Sequence, residues 1–399
     1  MKKLLLIFLC IISFNSYCQW TSLTSGTSDM LFSVYFTDVN NGYAVGGNGT
    51  VLITRNGGTS WNAASNPTSD DLNSVYFRND SIGYAVGWSG RIIKTINRGL
   101  NWFTLPSGTL QQLHSICFTS DSVGYAVGWD NVILKTTNGG NTWVNKTTST
   151  LEFWQSVVFT SADTGYVVGY NNGGRISKTI DGGNTWTTQT GGTNYSLHSV
   201  FFTGKDTGYA VGGATGSTNT SVIIKTVNGG ATWTQQTAGT TRELNSVHFT
   251  DRNTGYAVGY NGAIVKTVNG GANWTVQPSG VTAWLQEVYF PDQNSGFAVG
   301  TQGKILKTGV STNLAEISAP DTHLTIIPNP VMGNAHLIFD KPIKNVIVKI
   351  TDIHGHDVKT ILCTSEKTEI NTDQLSSGVY FIHAIIDSKK TETQKIIIQ

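Results

Sequence analysis

The octet "TIDGGNTW", Thr179 to Trp186, decides the fold, because relatives of it return along the chain. They are "TRNGGTSW" (54–61), "TINRGLNW" (95–102), "TTNGGNTW" (136–143), "TVNGGATW" (226–233) and "TVNGGANW" (267–274). A second motif keeps the same period. "GYAVG" begins at Gly42, Gly83, Gly124, Gly208 and Gly255, with "GYVVG" at Gly165 and "GFAVG" at Gly296. The seven copies are spaced by 41, 41, 41, 43, 47 and 41 residues. A period near 40 to 45 in a turn-rich, β-branched sequence predicts propeller blades of four antiparallel strands. One unit parses as "LNSVHF", turn "TDRNT", "GYAVGY", turn "NG", "AIVKTV", turn "NGGAN" and "WTVQPS", from Leu244 to Ser279.

Trp61, Trp102, Trp143, Trp186, Trp233 and Trp274 open the fourth strand of units one to six, whereas unit seven ends at "KILKTGVSTN" without turn or tryptophan. "WTSLTSG" at Trp20 matches "WTVQPSG" at Trp274 and lies 41 residues before Trp61. The N-terminal strand is therefore expected to complete the last blade, giving seven blades and no free sheet edge. In each octet the Asn or Asp followed by glycines makes a tight hairpin, since glycine accepts the positive φ such turns need and the Asx side chain bonds nearby amides. The octets resemble the Asp-box, or BNR, repeat, which Thr179–Trp186 fits fully while the other five copies carry Asn and one carries Arg98 for Gly. That resemblance implies a structural motif, and ordinary turn chemistry accounts for every position.

The ends of the chain differ from its middle. Lys2 and Lys3, an apolar run from Leu4 to Ile12 and "SFNSYCQW" predict a secretory signal peptide over 1–18, cleaved before Gln19. The run is too short to span a bilayer, and no transmembrane segment is expected after its removal. Cys117 and Cys363 then remain, one in each expected domain, and no disulfide framework follows. The net charge is +1 with Lys and Arg scattered singly, so nucleic acid is not an expected partner. Charged residues number 31 of 295 from Gln19 to Asn313 but 16 of 75 from Thr325 onward, and the repeat stops between them. The expected organisation is a propeller over 19–312, a linker over 313–324 and a small β-sandwich of alternating strands over 325–399.

Strand alternation puts the Asp-box turns on the rim opposite the blade-to-blade connections, so a site belongs on the connection rim. Trp88, Trp129, Trp154 and Trp284 fall there, with Tyr170, Tyr195, Tyr260, Arg91, Arg175 and Arg242. Flat aromatic rings around a channel mouth suit sugar stacking or protein anchoring, and equally the sealing of seams between blades. The innermost strand reads Ser-(Val/Ile)-x-Phe in six units but "EVYF" with Glu287 in the seventh. That carboxylate is the best candidate for an acid or base if the chain is an enzyme; otherwise it is an ion-paired or solvated substitution. Further rim carboxylates are Asp70, Asp71, Asp130, Glu152 and Glu243. His114 and His198 precede inner-strand serines without metal-ligand spacing, and His354 and His356 are two ligands only, so neither metal nor cofactor is expected.

Across Gln19 to Thr312, the "GYAVG" strand followed by Lys-Thr-x-Asn-Gly-Gly-x-Thr-Trp resembles the propeller family of photosystem II assembly and stability factors. That resemblance implies a non-catalytic, protein-binding propeller; the family's basic patch has no counterpart here, so photosystem assembly is not carried over. Ile327-Pro328 before Asn329-Pro330, Asp352, Gly355, Leu375, Gly378, Tyr380 and Lys395 resemble the type A sorting domain of the type IX (Por) secretion system of Bacteroidetes. This implies export past the outer membrane, with the secretion machinery as a partner and the domain as an address. Asp-box propellers also include sialidases and xyloglucan hydrolases. A sialidase requires three arginines converging on a carboxylate, and no Arg-Ile-Pro accompanies Arg91, Arg175 or Arg242. The expectation is a secreted or surface propeller, not an enzyme, binding an extracellular glycan or protein through its aromatic rim. A secreted Asp-box glycoside hydrolase is the alternative.

Overall fold

The structure, a computed structural model, describes residues 20–147, 151–214, 220–308, 324–343, 346–352, 357–386, 389–390 and 394–399. The expected signal peptide, the linker up to residue 323, and His354, Gly355 and His356 lie outside the described residues. Two compact units make up the chain, Met1–Ser311 and Thr312–Gln399.

The first unit holds seven four-stranded antiparallel sheets. Blade one runs Leu31–Phe36, Gly42–Gly46, Val51–Thr54 and Asn62–Ala63, each strand pairing with the next. Blades two to six repeat this order. Blade seven is Leu285–Tyr289, Gly296–Gly300 and Lys304–Thr308, and its fourth strand is Trp20–Leu23, with Trp20 opposite Thr308 and Leu23 opposite Ile305. The ring thus closes by pairing the two ends of the unit, as the displaced tryptophan predicts.

The five-residue Gly-to-Gly run of the second strand is buried throughout in every blade because neighbouring blades cover both of its faces. Such a strand reads as a continuous small and apolar run rather than an alternation. The flanking glycines are required by close approach: a Cβ at Gly42 would sit 2.4 Å from the Phe36 ring, and one at Gly46 would sit 2.0 Å from the Met30 carbonyl. The core lies between blades. Phe297, Val299 and Ile305 of blade seven pack with Leu31, Val34, Phe36, Leu52 and Trp61 of blade one. Each blade tryptophan meets its own inner-strand phenylalanine edge-on, as Trp61 does Phe36 (5.9 Å, 87°) and Trp20 does Phe290 (6.2 Å, 84°).

The second unit is a sandwich of two sheets. One contains Leu324–Ile327, Asn334–Phe339 and Lys367–Asn371; the other is centred on Val346–Thr351 and Gly378–Ile386. Alternate residues of both, among them Leu337, Phe339, Val348, Ile350, Ile382 and Ile396, make one core.

Candidate functional site

The channel at the centre of the ring is built from the inner strands, and each carries one extra residue. The pairing register shifts between Leu31 and Ser33, and at the corresponding place in all seven blades. A bulge of this kind re-aims a side chain. Here it turns Phe32, Asn73, His114, Gln155, His198, Asn245 and Gln286 onto a cavity of 290 Å³ that also touches Trp88, Gln112 and Glu287.

Five of the six serines that follow a bulge join one blade to the next. Ser33 Oγ accepts the Val75 amide (3.1 Å), and Ser115, Ser156, Ser199 and Ser246 accept those of Val157, Val200, Val247 and Val288. Glu287 does the same at the closure, where its Oε2 accepts the Val34 amide at 2.7 Å. Burial pushes its carboxyl up to about 7, partly offset by hydrogen bonds from Ser33 and Val34. The exceptional carboxylate is therefore part of the seam between the last and first blades as well as of the cavity wall.

The rim aromatics differ in exposure and in the rings they meet. Trp88, Trp129, Tyr195 and Tyr260 are 49, 38, 38 and 36% exposed. Trp129, Phe153 and Tyr170 form an arc over blades three and four, with successive ring centroids 5.9 and 5.3 Å apart. His114 flanks this arc at 5.8 Å from Trp129, and His198 at 6.5 Å from Tyr170. Tyr260 and the partly buried Trp284 make a separate edge-on pair at 5.5 Å. Trp154 is a correction: it is 1% exposed, packs with Tyr125, Ile133 and Val157, and donates Nε1 to Asn131 Oδ1 at 3.0 Å. It fills the place that leucine takes in the other inner strands and offers no face to a ligand. Phe153, its neighbour on the other side of the strand, is the aromatic the sequence reading missed.

The arginines do not converge. Arg91 clasps Asp70 through Nε and Nη2 at 2.8 and 2.6 Å. Arg175 lies 3.4 Å from the buried Glu152 carboxylate. Arg242 faces the Asn261 side-chain amide, whose oxygen accepts from both guanidinium nitrogens at 2.6 and 3.0 Å once that amide is turned over. Glu243 is engaged by His198 Nε2 at 2.7 Å, and Asp71 by the Asn48 amide at 2.9 Å. Burial, reinforced by nearby His198, holds the His114 imidazole down to about 4 and hence neutral.

On the opposite rim the Asp-box turns are scaffolding. Asp181 Oδ1 accepts the Asn184 and Thr185 amides at 2.9 Å each, and the Gly183 amide donates to Thr179 Oγ1 at 2.8 Å. Asn56, Asn97, Asn138, Asn228 and Asn269 sit in equivalent turns. Each turn is also an anchor for the preceding blade, since the Tyr84, Tyr125, Tyr166 and Tyr209 hydroxyls donate to the Gly139, Gly182, Gly229 and Gly270 carbonyls at 2.7 to 2.9 Å. Lys94, Lys178 and Lys225 donate to the same carbonyls as the tyrosines of their blades, and where "GFAVG" lacks the hydroxyl Lys307 Nζ holds the Gly57 carbonyl by itself at 2.8 Å.

Comparison with known proteins agrees with this architecture. Residues 12–110 match the family described as Photosynthesis system II assembly factor YCF48, and residues 325–399 match the Secretion system C-terminal sorting domain. The fold is similar to that of YCF48 bound to D1 peptide (19% identity, 73% of this chain and 97% of that one, TM-score 0.63). It is similar to YCF48 from Cyanidioschyzon merolae (21%, 73% and 99%, TM-score 0.61). It is also similar to the GH74 xyloglucanase from Xanthomonas campestris (13%, 80% and 59%, TM-score 0.60). No curated protein matches the sequence. The sorting tail addresses the chain to the cell surface or beyond by type IX secretion. The chain is a seven-bladed β-propeller resembling the YCF48 assembly factors, joined to a C-terminal secretion sorting domain.

Proposed function

We propose that the chain is an exported, non-catalytic binding propeller whose connection rim holds an extracellular glycan or protein. The observation that carries this reading is the half-exposed aromatic set of Trp88, Trp129, Tyr195 and Tyr260 on the blade-connection side, with Trp88 also lining the polar channel. Exposed rings held on rigid turns present large contact area at little entropic cost. The similar fold of YCF48 bound to D1 peptide supports binding without chemistry. So does the engagement of Asp70, Glu152, Glu243 and Glu287 by Arg91, Arg175, His198 and the Val34 amide, which leaves those carboxylates serving as structural partners.

The second reading is a glycoside hydrolase, favoured by the raised Glu287 carboxyl in the channel wall and by the likeness to a GH74 xyloglucanase. The purified chain, assayed on a polysaccharide panel for binding and cleavage separately, tests both. Binding without turnover is expected. Changing Trp88 and Trp129 together to alanine is expected to weaken binding by tenfold or more, roughly the 1.4 kcal/mol or greater that a buried aromatic contact supplies. Turnover that disappears in Glu287→Gln would establish the hydrolase instead. Binding indifferent to both tryptophans would move the site off this rim.

A further inference from the structure

We propose that the channel mouth is a narrowing well that takes the terminal residue of a neutral glycan end-on. This deepens the binding-module reading and rests on it.

Below the cavity the channel wall carries a belt of rings. Tyr76 contacts Tyr35 (ring centroids 5.4 Å), Tyr35 contacts Tyr289 (5.0 Å), Tyr289 contacts His248 (5.1 Å) and His248 contacts Phe201 (4.9 Å). This aromatic layer crosses five of the seven blades, and Cys117 and Val158 stand at the corresponding positions of the other two. The Tyr76 and Tyr289 hydroxyls tie it to the inner strands through the Phe118 and Phe36 carbonyls at 3.2 and 3.0 Å. The rings touch from blade to blade around the channel wall below the cavity-lining residues and narrow it there, which favours entry by a chain end over threading.

The wall selects the chemistry. Gln112, Gln155 and Gln286 line the cavity, and their side-chain amides have no partner among the described residues. Buried His114 Nε2 has none either. Asn73 and Asn245 each give one amide hydrogen to the Leu113 and Leu285 carbonyls at 2.8 Å and keep their oxygens. A ligand must therefore both donate and accept, as hydroxyl groups do. Neither Lys nor Arg lines the cavity, and Glu287 does, which disfavours a carboxylate, sulfate or phosphate. Trp88, half-exposed at the mouth, supplies an apolar platform for a sugar face. The cavity's 290 Å³ lies at the small end of ligand pockets, about 300 Å³ upward, and matches about ten waters. That is room for one sugar unit. An extended peptide is disfavoured because the inner-strand amides it would pair with, including Val34, Val75, Val157 and Val247, are already held by Glu287 or serines.

The test is a glycan array probed with the full chain, followed by Gln155→Leu and Gln286→Leu as separate variants and by competition with methyl glycosides of the sugar bound. Binding is expected to neutral glycans with an accessible terminal residue, to fall at least tenfold in each variant with thermal melting unchanged, and to be displaced by the methyl glycoside. If a variant melts early, the methyl-glycoside competition on the unaltered chain decides alone. Preference for sialylated, sulfated or uronic glycans would overturn the proposal, as would binding to internal chain segments that survives both variants. Loss on Trp129→Ala with indifference to Gln155 and Gln286 would remove the well while leaving the rim reading intact. A peptide array bound in place of any glycan would do the same.

Discussion

Position 287 shows how one residue can look like chemistry and serve architecture. Six inner strands use a serine hydroxyl to accept the next blade's amide or occupy that place, and the seventh uses a carboxylate at 2.7 Å from the Val34 nitrogen. Glu287→Ala leaves that amide without an acceptor and is expected to cost about 1–3 kcal/mol in a denaturant titration, whereas Glu287→Ser restores the ladder and should recover most of it. Its carboxyl is raised from 4.5 to about 7 by burial, so the protonated form is the one the fold prefers. The stability this contributes is complete below about pH 4.5 and is lost as pH rises through about 7. Glu287→Gln should accordingly flatten the decline between about pH 5 and pH 8 by about 1–2 kcal/mol. An unchanged pH profile would mean the carboxylate is solvated. The break in the repeat was visible in the sequence, but its partner was not, because Val34 lies 253 residues away and meets it only through ring closure. Trp154 departs from the sequence reading for a similar reason: a tryptophan in a slot that leucine fills in the other six inner strands looks like an extra ring, while the neighbouring blade buries it.

The inner strand and the Asp-box hairpin differ in how far they can be read from sequence. Leu31, Val34 and Phe36 all face one interface, although Leu31 and Val34 are three apart. Strict alternation forbids that, and only the bulge at Phe32 permits it, so the channel-lining set could not be derived from period two. The hairpins were legible because their chemistry is local. Gly57, Gly139, Gly182, Gly229 and Gly270 hold φ of +63 to +68° at the position where blade two has Arg98 at +63°. An L-residue there is strained, and the Arg98 side chain is exposed. Arg98→Gly is expected to raise stability by about 0.5–1 kcal/mol, the left-handed penalty less the entropy that glycine loses on folding. The reverse change, Gly139→Arg, should lower stability by a similar amount. A melting temperature lowered by Arg98→Gly would show that the arginine contributes contacts outweighing its strain.

At the scale of the whole ring, closure depends on four residues at one end of the propeller pairing with the last strand at the other. Trp20 is 4% exposed and packs between Tyr256 of blade six and Phe290 of blade seven, in the same setting as Trp274 one blade earlier. The sequence disclosed this closure because a tryptophan and its strand were missing from unit seven and present, in phase, before unit one. The two sites differ in what holds the strand when the indole is lost. Thr275–Val276 stays joined to Ile264–Thr267 by its own hairpin, while Trp20–Leu23 has no turn linking it to Lys304–Thr308. Trp20→Ala and Trp274→Ala should therefore both cost about 3–5 kcal/mol, yet fail differently. Trp274→Ala is expected to remain monomeric with local loss of protection. Trp20→Ala should free the Lys304–Thr308 edge, which will exchange amide hydrogens faster and, as an unpaired strand, promote association at raised concentration. Hydrogen exchange over 304–308 with light scattering reads both effects, and protection there equal to the parent chain's would mean that the N-terminal strand does not close the ring in solution.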